Sequence, residues 1–366
     1  MNFIIRRARK MKQIIIREPK NYPGCDFVVE LGKDRKETPV KLLQLTDMQI
    51  IDAEQRRRPD RISSGEIAAW QPEKFMDLFG NHVLSLAAQT KPDLIFITGD
   101  LVYGQFDDKG TTFEWFCSFM ESLDIPWAPV FGNHDNESQR GVDWQCDMLE
   151  NSKNCLFKRG EVDGHGNYSV GITVDGELVR VLHMADSHGC LRAPALTDAQ
   201  LELISSNTAE IKKSQGKDVP AFMAFHIPTE LFDEAERAKG YTTEEHPFYA
   251  IGVDAPQKGN DFGFSYEVLK ETIHTERDFV EFLHEQNIDG VFTGHWHNKC
   301  TCIDYNGVKL VFGLKTGQYD YHIAGSIGGT LVTLCKDKFD VCHIPSLVPF
   351  APMARNDYFK NFFVKE

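Results

Sequence analysis

Five apolar stretches of the sequence each end on residues whose side chains commonly bind metal ions. In chain order these residues are Asp47, Asp100, Asn133, His226, and the pair His295 and His297. Carboxylate, amide and imidazole ligands together favour manganese, iron or zinc over calcium. Two histidines two positions apart on a strand point to the same side, so His295 and His297 could each bind one metal ion. The residue types therefore indicate a site for two metal ions.

The elements that would position these residues alternate between strands and helices. Apolar runs of strand length occupy residues 41–46, 93–100, 126–135, 221–228 and 290–298. Helical spacing of apolar residues occupies 73–90, 113–123, 197–213 and 277–286. Antiparallel strands are predicted at 168–174 and 177–186, and hairpins at 299–314 and 328–344. This alternation is typical of an α/β layered sandwich, in which ligands bind outside the carboxyl ends of the strands.

Composition sets the class of protein. The chain has 366 residues, of which 42% are hydrophobic and 26% charged, and we expect a single domain over residues 1–366 with its core at about 40–345. The net charge of −14 gives no strong signal for nucleic-acid binding through a basic face. Nine cysteines without a CxxC pair favour free thiols in a reducing compartment. Neither a signal peptide nor a transmembrane segment is evident, so we expect a cytoplasmic protein.

The order of the motifs D…GD…GNHD…H…GHxH, over about residues 40–320, resembles that of the calcineurin-like metallophosphoesterases. The resemblance implies a fold of two mixed β-sheets flanked by helices, and a pair of metal ions drawn from iron, manganese and zinc. It also implies a ligand set, with Asp100 bridging the metals, Asp47 and His297 on the first, and Asn133, His226 and His295 on the second. His134 would lie over the substrate and protonate the leaving oxygen or stabilise the transition state.

The first motif departs from the family pattern, because DMQ, with Gln49 at its end, stands where DxH is usual. The second motif, GDLVY, resembles that of purple acid phosphatases, in which the tyrosine binds ferric iron. We therefore predict that Tyr103 replaces the missing histidine ligand. In the alternative interpretation Tyr103 is an ordinary aromatic residue, and Gln49 binds weakly through its amide oxygen or only forms hydrogen bonds. The stretches IPWAPVFGNHDNE, DSHG, AFHIP and GVFTGHWHN further resemble a purple-acid-phosphatase-like branch of the family.

Other residues are candidates for contact with substrate. Arg140 could hold a phosphate with its planar guanidinium, or it could be a surface residue paired with Glu137 or Asp143. His188 could face the metals or stabilise a turn. Tyr319 and Tyr321 could line the mouth of the site or belong to the core. The polar, irregular segment 229–275 is predicted as an insertion that forms a lid and selects the substrate.

These features predict a dinuclear metal-dependent hydrolase that acts on a small phosphate ester. The expected activity is that of a phosphomonoesterase with metal-bound hydroxide as nucleophile, and His134 as general acid. One alternative is a phosphodiesterase that cleaves cyclic nucleotides, nucleic acid or lipid headgroups. Another is a binding scaffold with weak or lost catalysis, which only Gln49 favours. The sequence predicts no oligomeric state.

Overall fold

The computed structural model describes residues 13–52, 55, 72–189, 193–241, 261–265, 271–275, 277–318, 322, 327–335 and 338–347, with the side chains of 34 and 72–78 excepted. Its strands are β1 Ile14–Arg17, β2 Phe27–Leu31, β3 Val40–Leu45, β4 Leu94–Thr98, β5 Trp127–Val130, β6 Tyr168–Val174, β7 Glu177–Met184, β8 Ala221–Ala224, β9 Ile288–Thr293, β10 Cys302–Tyr305, β11 Val308–Phe312, β12 Gly328–Cys335 and β13 Lys338–Pro345. Its α-helices are α1 Pro72–Thr90, α2 Thr111–Ser122, α3 Val142–Glu150, α4 Asp198–Gln215, α5 Glu230–Ala238 and α6 Phe279–Glu285.

The strands form two mixed sheets, as predicted. One sheet has five strands in the order β13-β12-β3-β4-β5, and the other has eight in the order β1-β2-β6-β7-β8-β9-β11-β10. Strands β3, β4 and β5 run parallel to one another, and so do β7, β8, β9 and β11. The strands that precede the metal-binding motifs are therefore neighbours in one sheet or the other, and their carboxyl ends lie at one edge.

The core lies between the two sheets. Phe96 on β4 packs against Phe292 on β9 with ring centroids 5.2 Å apart, and Phe222 on β8 lies 5.1 Å from Phe292. Helices α1 and α2 cover the outer face of the five-stranded sheet, and Phe79 on α1 contacts Phe119 on α2. The eight-stranded sheet is covered by α4, α5 and α6. The central strands are thus buried on both faces, which explains why they appear as continuous apolar runs in the sequence.

Local signals account for the helix bounds. Thr197 caps α4 by accepting a hydrogen bond from the backbone of Gln200, whose side chain in turn bonds the Thr197 backbone. Gly216 ends the same helix in the left-handed conformation, with φ at 68°. These two signals bound the helix that periodicity predicts at 197–213.

Two predictions of local structure were wrong. The strands end before the motifs, so the strand predicted at 290–298 stops at Thr293, and His295 and His297 lie in a loop. The cause is a turn at His295, whose φ of 75° cannot continue a strand. The segment 229–275 was expected to be irregular, but its first part forms α5.

Two properties of the described residues bear on the class of protein. The cysteines among them, Cys25, Cys117, Cys146, Cys155, Cys300, Cys302, Cys335 and Cys342, are free thiols. Within this part of the chain, no helix combines the length and the apolar character that crossing a membrane requires.

Candidate metal centre

The loops after five strands bring the predicted ligands together. Asp47 follows β3, Asp100 follows β4, Asn133 follows β5, His226 follows β8, and His295 and His297 follow β9. The loops bond to one another directly, since the Asp47 N–H donates to the Gly99 carbonyl at 3.1 Å and the Gly294 N–H to the His226 carbonyl at 3.0 Å. The edge at which the sheets meet is therefore where these side chains converge.

The first cluster consists of Asp47, Asp100 and His297. One potential ligand atom from each lies within 4.8 Å of the others. His297 Nε2 is 3.2 Å from Asp47 Oδ1. Burial of two carboxylates beside one imidazole concentrates negative charge that a cation would compensate. This donor set suits a metal ion.

The second cluster is centred on the amide oxygen of Asn133. This Oδ1 lies 3.0 Å from His226 Nε2 and 2.9 Å from His295 Nδ1, and Asp100 Oδ1 lies 3.4 Å from the same His226 nitrogen. On its other side His226 donates Nδ1–H to the Thr98 carbonyl at 2.7 Å. A histidine with one ring nitrogen bonded to a carbonyl and the other turned inward is typical of metal ligands. The residues present therefore fit a second metal ion.

The backbone of the motifs adopts left-handed conformations that residues other than glycine rarely take. The φ angles are 50° at Asp47, 44° at Gln49, 53° at Asp100 and 75° at His295. Hydrogen bonds stabilise them, since Asp47 accepts the His295 N–H on both carboxylate oxygens at 3.0 Å. Such residues cluster at functional sites, where the surrounding structure holds them.

Two glycines of the motifs are required by close approach. A Cβ at Gly132, in GNHD, would lie 2.1 Å from Asp100 Oδ1. A Cβ at Gly294, in GHWH, would lie 2.0 Å from Thr46 Oγ1 and 2.6 Å from Asp47 Oδ2. Any side chain at either position would push a ligand carboxylate out of place.

Charge in the centre keeps the two carboxylates ionised. Burial alone would raise the pKa of Asp47, but the hydrogen bond and charge of His297 lower that pKa to about 2. The charges of His226 and His134 likewise lower the pKa of Asp100 against the effect of burial. Burial would lower the pKa of His226, yet Asp100 raises it to about 10. The centre thus provides anionic ligands for cations.

His134 has a carboxylate partner that the sequence analysis missed. Its Nδ1 lies 2.9 Å from Glu137 Oε2, and Glu137 Oε1 accepts from Gln105 Nε2 at 3.0 Å. Since a carboxylate only accepts, His134 donates from Nδ1. The only sequence signal for this pair was its i,i+3 spacing, with His134 at the N-cap and Glu137 at the end of the short 3₁₀ helix Asp135–Glu137.

Gln49 bonds to the first cluster, whereas Tyr103 packs on His134. Gln49 Nε2 donates to Asp100 Oδ2 at 3.1 Å, and its Oε1 accepts from Lys315 Nζ at 3.0 Å, so the geometry favours the hydrogen-bonding alternative. The Tyr103 ring lies over the His134 ring, with centroids 4.1 Å apart and planes 32° apart. Its role as a metal ligand stays a prediction. Lys315 is a further residue that the sequence analysis missed.

Within the described part of the chain, no hydrogen bond joins Arg140 or His188 to the clusters. The exposed Arg140 guanidinium lies 4.5 Å from the centroid of the Trp144 ring. The carboxylates considered as its partners bond elsewhere, Glu137 to His134 and Asp143 to Arg159. His188 lies 3.1 Å through Nδ1 from the Ala195 carbonyl, which favours its role in stabilising a turn. Tyr319 and Tyr321 lie outside the described residues.

The described part of the insertion 229–275 reaches the centre. Glu271 Oε2 lies 3.3 Å from His295 Nε2. The helix α5 is tied to the loop after β9 by an ion pair between Glu236 and Lys299 at 2.6 Å, with both side chains fully buried. The remainder of the insertion, residues 242–260 and 266–270, lies outside the described residues, and the lid stays a prediction.

Comparison with known proteins identifies a family whose sequence pattern this chain matches. A sequence model of the family described as calcineurin-like phosphoesterase matches residues 40–299. A curated relative named "Probable inactive purple acid phosphatase 29", from Arabidopsis thaliana, is 26% identical over 271 residues, covering 66% of this chain and 63% of the relative. "Phosphatase DCR2" from Saccharomyces cerevisiae is 28% identical over 243 residues, covering 59% and 37%. The chain thus spans less than two thirds of the length of these relatives.

Solved structures give distant matches. A dimetal phosphatase from Danio rerio aligns with a TM-score of 0.48 and 11% identity, covering 85% of this chain and 99% of that one. The purple acid phosphatase PPD1 from yellow lupin seeds aligns with a TM-score of 0.43 and 13% identity, covering 88% and 52%.

Proposed function

Because the chain belongs to the calcineurin-like phosphoesterase family, we propose that it is a dinuclear metal-dependent phosphomonoesterase acting on a small phosphorylated substrate. The observation that carries this proposal is the convergence of His226 Nε2 and His295 Nδ1 on Asn133 Oδ1, at 3.0 and 2.9 Å, beside the Asp100 carboxylate that the first cluster shares. Two adjoining donor sets with one carboxylate in common are what a pair of metal ions requires.

Each residue has a place in this proposal. Asp47 and His297 would hold the first metal, Asn133, His226 and His295 would hold the second, and both would share Asp100. When bound, the metals, proposed as iron, manganese or zinc, supply an activated water and positive charge for the phosphate oxygens. The chain's own contribution is to orient these ligands and to exclude water from the buried carboxylates.

His134 is the proposed general acid. Its Nδ1 donates to Glu137, so the opposite nitrogen, Nε2, faces away from that carboxylate. In the imidazolium form Nε2 carries the proton that passes to the leaving oxygen, and Glu137 stabilises the charge of the ring. General acid catalysis of this kind contributes roughly 10²–10⁴ in rate.

The test is metal content and turnover of purified protein. We expect that Asp100→Asn and His297→Ala each lose metal and turn over neither aryl phosphate monoesters nor diesters. The control is His284→Ala, which alters a histidine on α6 whose ring bonds to the Asn306 carbonyl. This variant should keep both metal and activity. A fully metallated, active Asp100→Asn variant would overturn the proposal.

Two assays separate the alternatives. Faster turnover of monoesters than of diesters supports the phosphomonoesterase, and the reverse supports a phosphodiesterase. Metal-loaded protein without turnover of either supports a binding scaffold, as the word "inactive" in the relative's name suggests for that protein.

The colour of the protein tests Tyr103. A visible charge-transfer band in aerobically prepared protein that disappears in Tyr103→Phe supports a phenolate ligand to ferric iron, since that donor favours a trivalent ion. A colourless protein with two manganese or zinc ions would mean that Tyr103 only packs on His134.

Cytoplasmic location also stays a proposal, supported by the free thiols of the described cysteines.

A further inference from the structure

Gln49 stands where the family pattern has a histidine, and both ends of its amide are already bonded. Nε2 donates to Asp100 Oδ2 at 3.1 Å, and Oε1 accepts from Lys315 Nζ at 3.0 Å. Chemistry fixes this orientation, because a carboxylate only accepts and an ammonium only donates. Both Gln49 and Lys315 are buried, with exposures of 0% and 2%. The amide oxygen is thus directed away from Asp100, towards the lysine.

Lys315 is itself held in place. Its Nζ also donates to the main-chain carbonyl of Asp47 at 2.9 Å. The two residues that follow it bond to the loop after β3, the Thr316 N–H to the Thr46 carbonyl at 2.9 Å and the Gly317 N–H to the Asp47 carbonyl at 3.2 Å. Hydrogen bonds therefore fix the segment after β11 against the first motif, and the ammonium has little freedom to leave Gln49.

We propose that Lys315 is a positioning residue that holds Gln49 as a hydrogen-bond donor to Asp100 and so makes the first metal position the weaker of the two. This inference rests on the proposed function. Turning the amide so that its oxygen faced the first cluster would place the NH₂ group against the ammonium. The first position, formed by Asp47, Asp100 and His297, therefore lacks the ligand that DxH motifs supply.

The first metal position also shares Asp100 with a competitor. The NH₂ group of Gln49 occupies one lone-pair direction of Asp100 Oδ2, the oxygen farther from His226. At the second position the main-chain N–H of His134 donates to Asp100 Oδ1 at 2.9 Å. Asn133, His226 and His295 offer three ligands there besides Asp100, whereas only Asp47 and His297 do so at the first position. Metal should therefore fill the second position first and the first position only at higher concentration.

The experiment is a calorimetric titration of the metal-free, full-length protein with Mn²⁺. A divalent ion is chosen because a phenolate from Tyr103 favours trivalent ions, so that residue does not mask the effect. We expect two unequal binding steps in the wild type. Gln49→His should strengthen the weaker step by about tenfold or more, the size of effect that changes around metal ligands produce. The tighter step should change by less than about twofold.

Lys315→Met tests the positioning role separately. Without the ammonium the amide can turn its oxygen inward, so the weaker step should strengthen, by a smaller factor than in Gln49→His. Lys309→Met is the matched control, because Lys309 is a largely buried lysine on β11 that bonds to Asp304 at 2.9 Å; both steps should stay unchanged. An unchanged weaker step in a folded Lys315→Met variant would overturn the positioning role. If thermal melting shows that this variant does not fold, Lys315→Gln takes its place, because its amide can donate or accept and so fixes neither orientation of Gln49.

The outcomes separate the inference from the function. Two equal steps in the wild type, or an unchanged weaker step in Gln49→His, would overturn the inference and leave the proposed function standing. A wild-type protein that takes up no manganese would overturn both.

Discussion

At the scale of single residues, three imidazole rings of the centre share one arrangement. His226 bonds the Thr98 carbonyl through Nδ1, His134 lies against Glu137 through Nδ1, and His295 lies against Glu271 through Nε2. In each case an oxygen on the outer side fixes the ring and leaves the other nitrogen directed inward. Such partners set the orientation and basicity of the inward nitrogen. Loss of the outer oxygen should therefore lower metal affinity or catalytic rate, even though the histidine itself remains.

Glu137→Gln tests this at His134. The amide keeps a hydrogen bond but loses the charge that stabilises the imidazolium. We therefore expect kcat to fall by about tenfold or more, and by no more than the roughly 10²–10⁴ that general acid catalysis contributes. The loss should be larger for alkyl phosphates than for 4-nitrophenyl phosphate, whose leaving oxygen needs little protonation. Steady-state kinetics with both substrates, on samples of measured metal content, give the answer.

The double variant provides the control for Glu137. If Glu137 acts only through His134, adding Glu137→Gln to His134→Ala should cause no further loss of kcat. Equal losses for both substrates, or additive losses in the double variant, would contradict the role of Glu137 as the partner of a general acid.

At the scale of elements, the predicted insertion is attached beside the proposed ligand His226. The Ile273 N–H donates to the Pro228 carbonyl at 2.8 Å, and the Glu230 N–H donates to the Ile273 carbonyl at 3.1 Å. Through these two hydrogen bonds, residues 271–275 pair with the backbone just after His226. These bonds also place Glu271 Oε2 3.3 Å from His295 Nε2, so the position of the insertion is coupled to a proposed ligand of the second metal.

Glu271→Gln should weaken the second metal position. Loss of the carboxylate beside His295 Nε2 removes a partner of the ligand, and such changes typically cost 10–100-fold in metal affinity. Competition with a chromogenic chelator measures this. Glu230→Gln is the matched control, because it breaks a carboxylate–histidine pair of the same segment, with His274 at 2.8 Å, that is exposed and lies away from the ligands. Equal effects of the two variants would show that Glu271 only stabilises the segment.

The elements also show what the sequence could and could not predict. Asp47, Asp100 and His226 were predictable, because each follows a buried apolar run and parallel strands share an edge. Glu271 and Lys315 were not, since each meets the centre only through loops distant in sequence. The geometry of His295 and His297 was missed because periodicity continues a strand past Thr293, whereas the left-handed turn at His295 depends on the Asp47 carboxylate that bonds its N–H.

At the scale of the whole molecule, the two sheets are joined by a buried imidazole far from the metal ligands in sequence. His343 on β13 of the five-stranded sheet lies 2.6 Å through Nε2 from the Cys300 carbonyl, which follows β9 of the other sheet. Its Nδ1 lies 2.9 Å from Thr330 Oγ1, which itself accepts the Leu314 N–H at 3.0 Å. The threonine hydroxyl therefore donates to Nδ1, and the neutral ring satisfies every partner. If Nδ1 were protonated, its N–H would face the hydroxyl hydrogen of Thr330, and the hydrogen bond between them would be lost.

This network predicts how stability depends on pH. Burial lowers the pKa of His343 to about 4, against about 6.5 in an unfolded chain. Between these values the unfolded chain binds more protons, so the free energy of unfolding falls as the pH falls through this window. The loss from pH 7 to pH 5 should be roughly 2 kcal/mol for this group. In His343→Gln, whose amide can donate to Cys300 and accept from Thr330 without titrating, urea unfolding at the two pH values should show a loss smaller by about that amount. Because the metal ligands are the same in both proteins, their share of the pH dependence cancels, and equal losses in the two would mean that His343 is not held neutral by the fold.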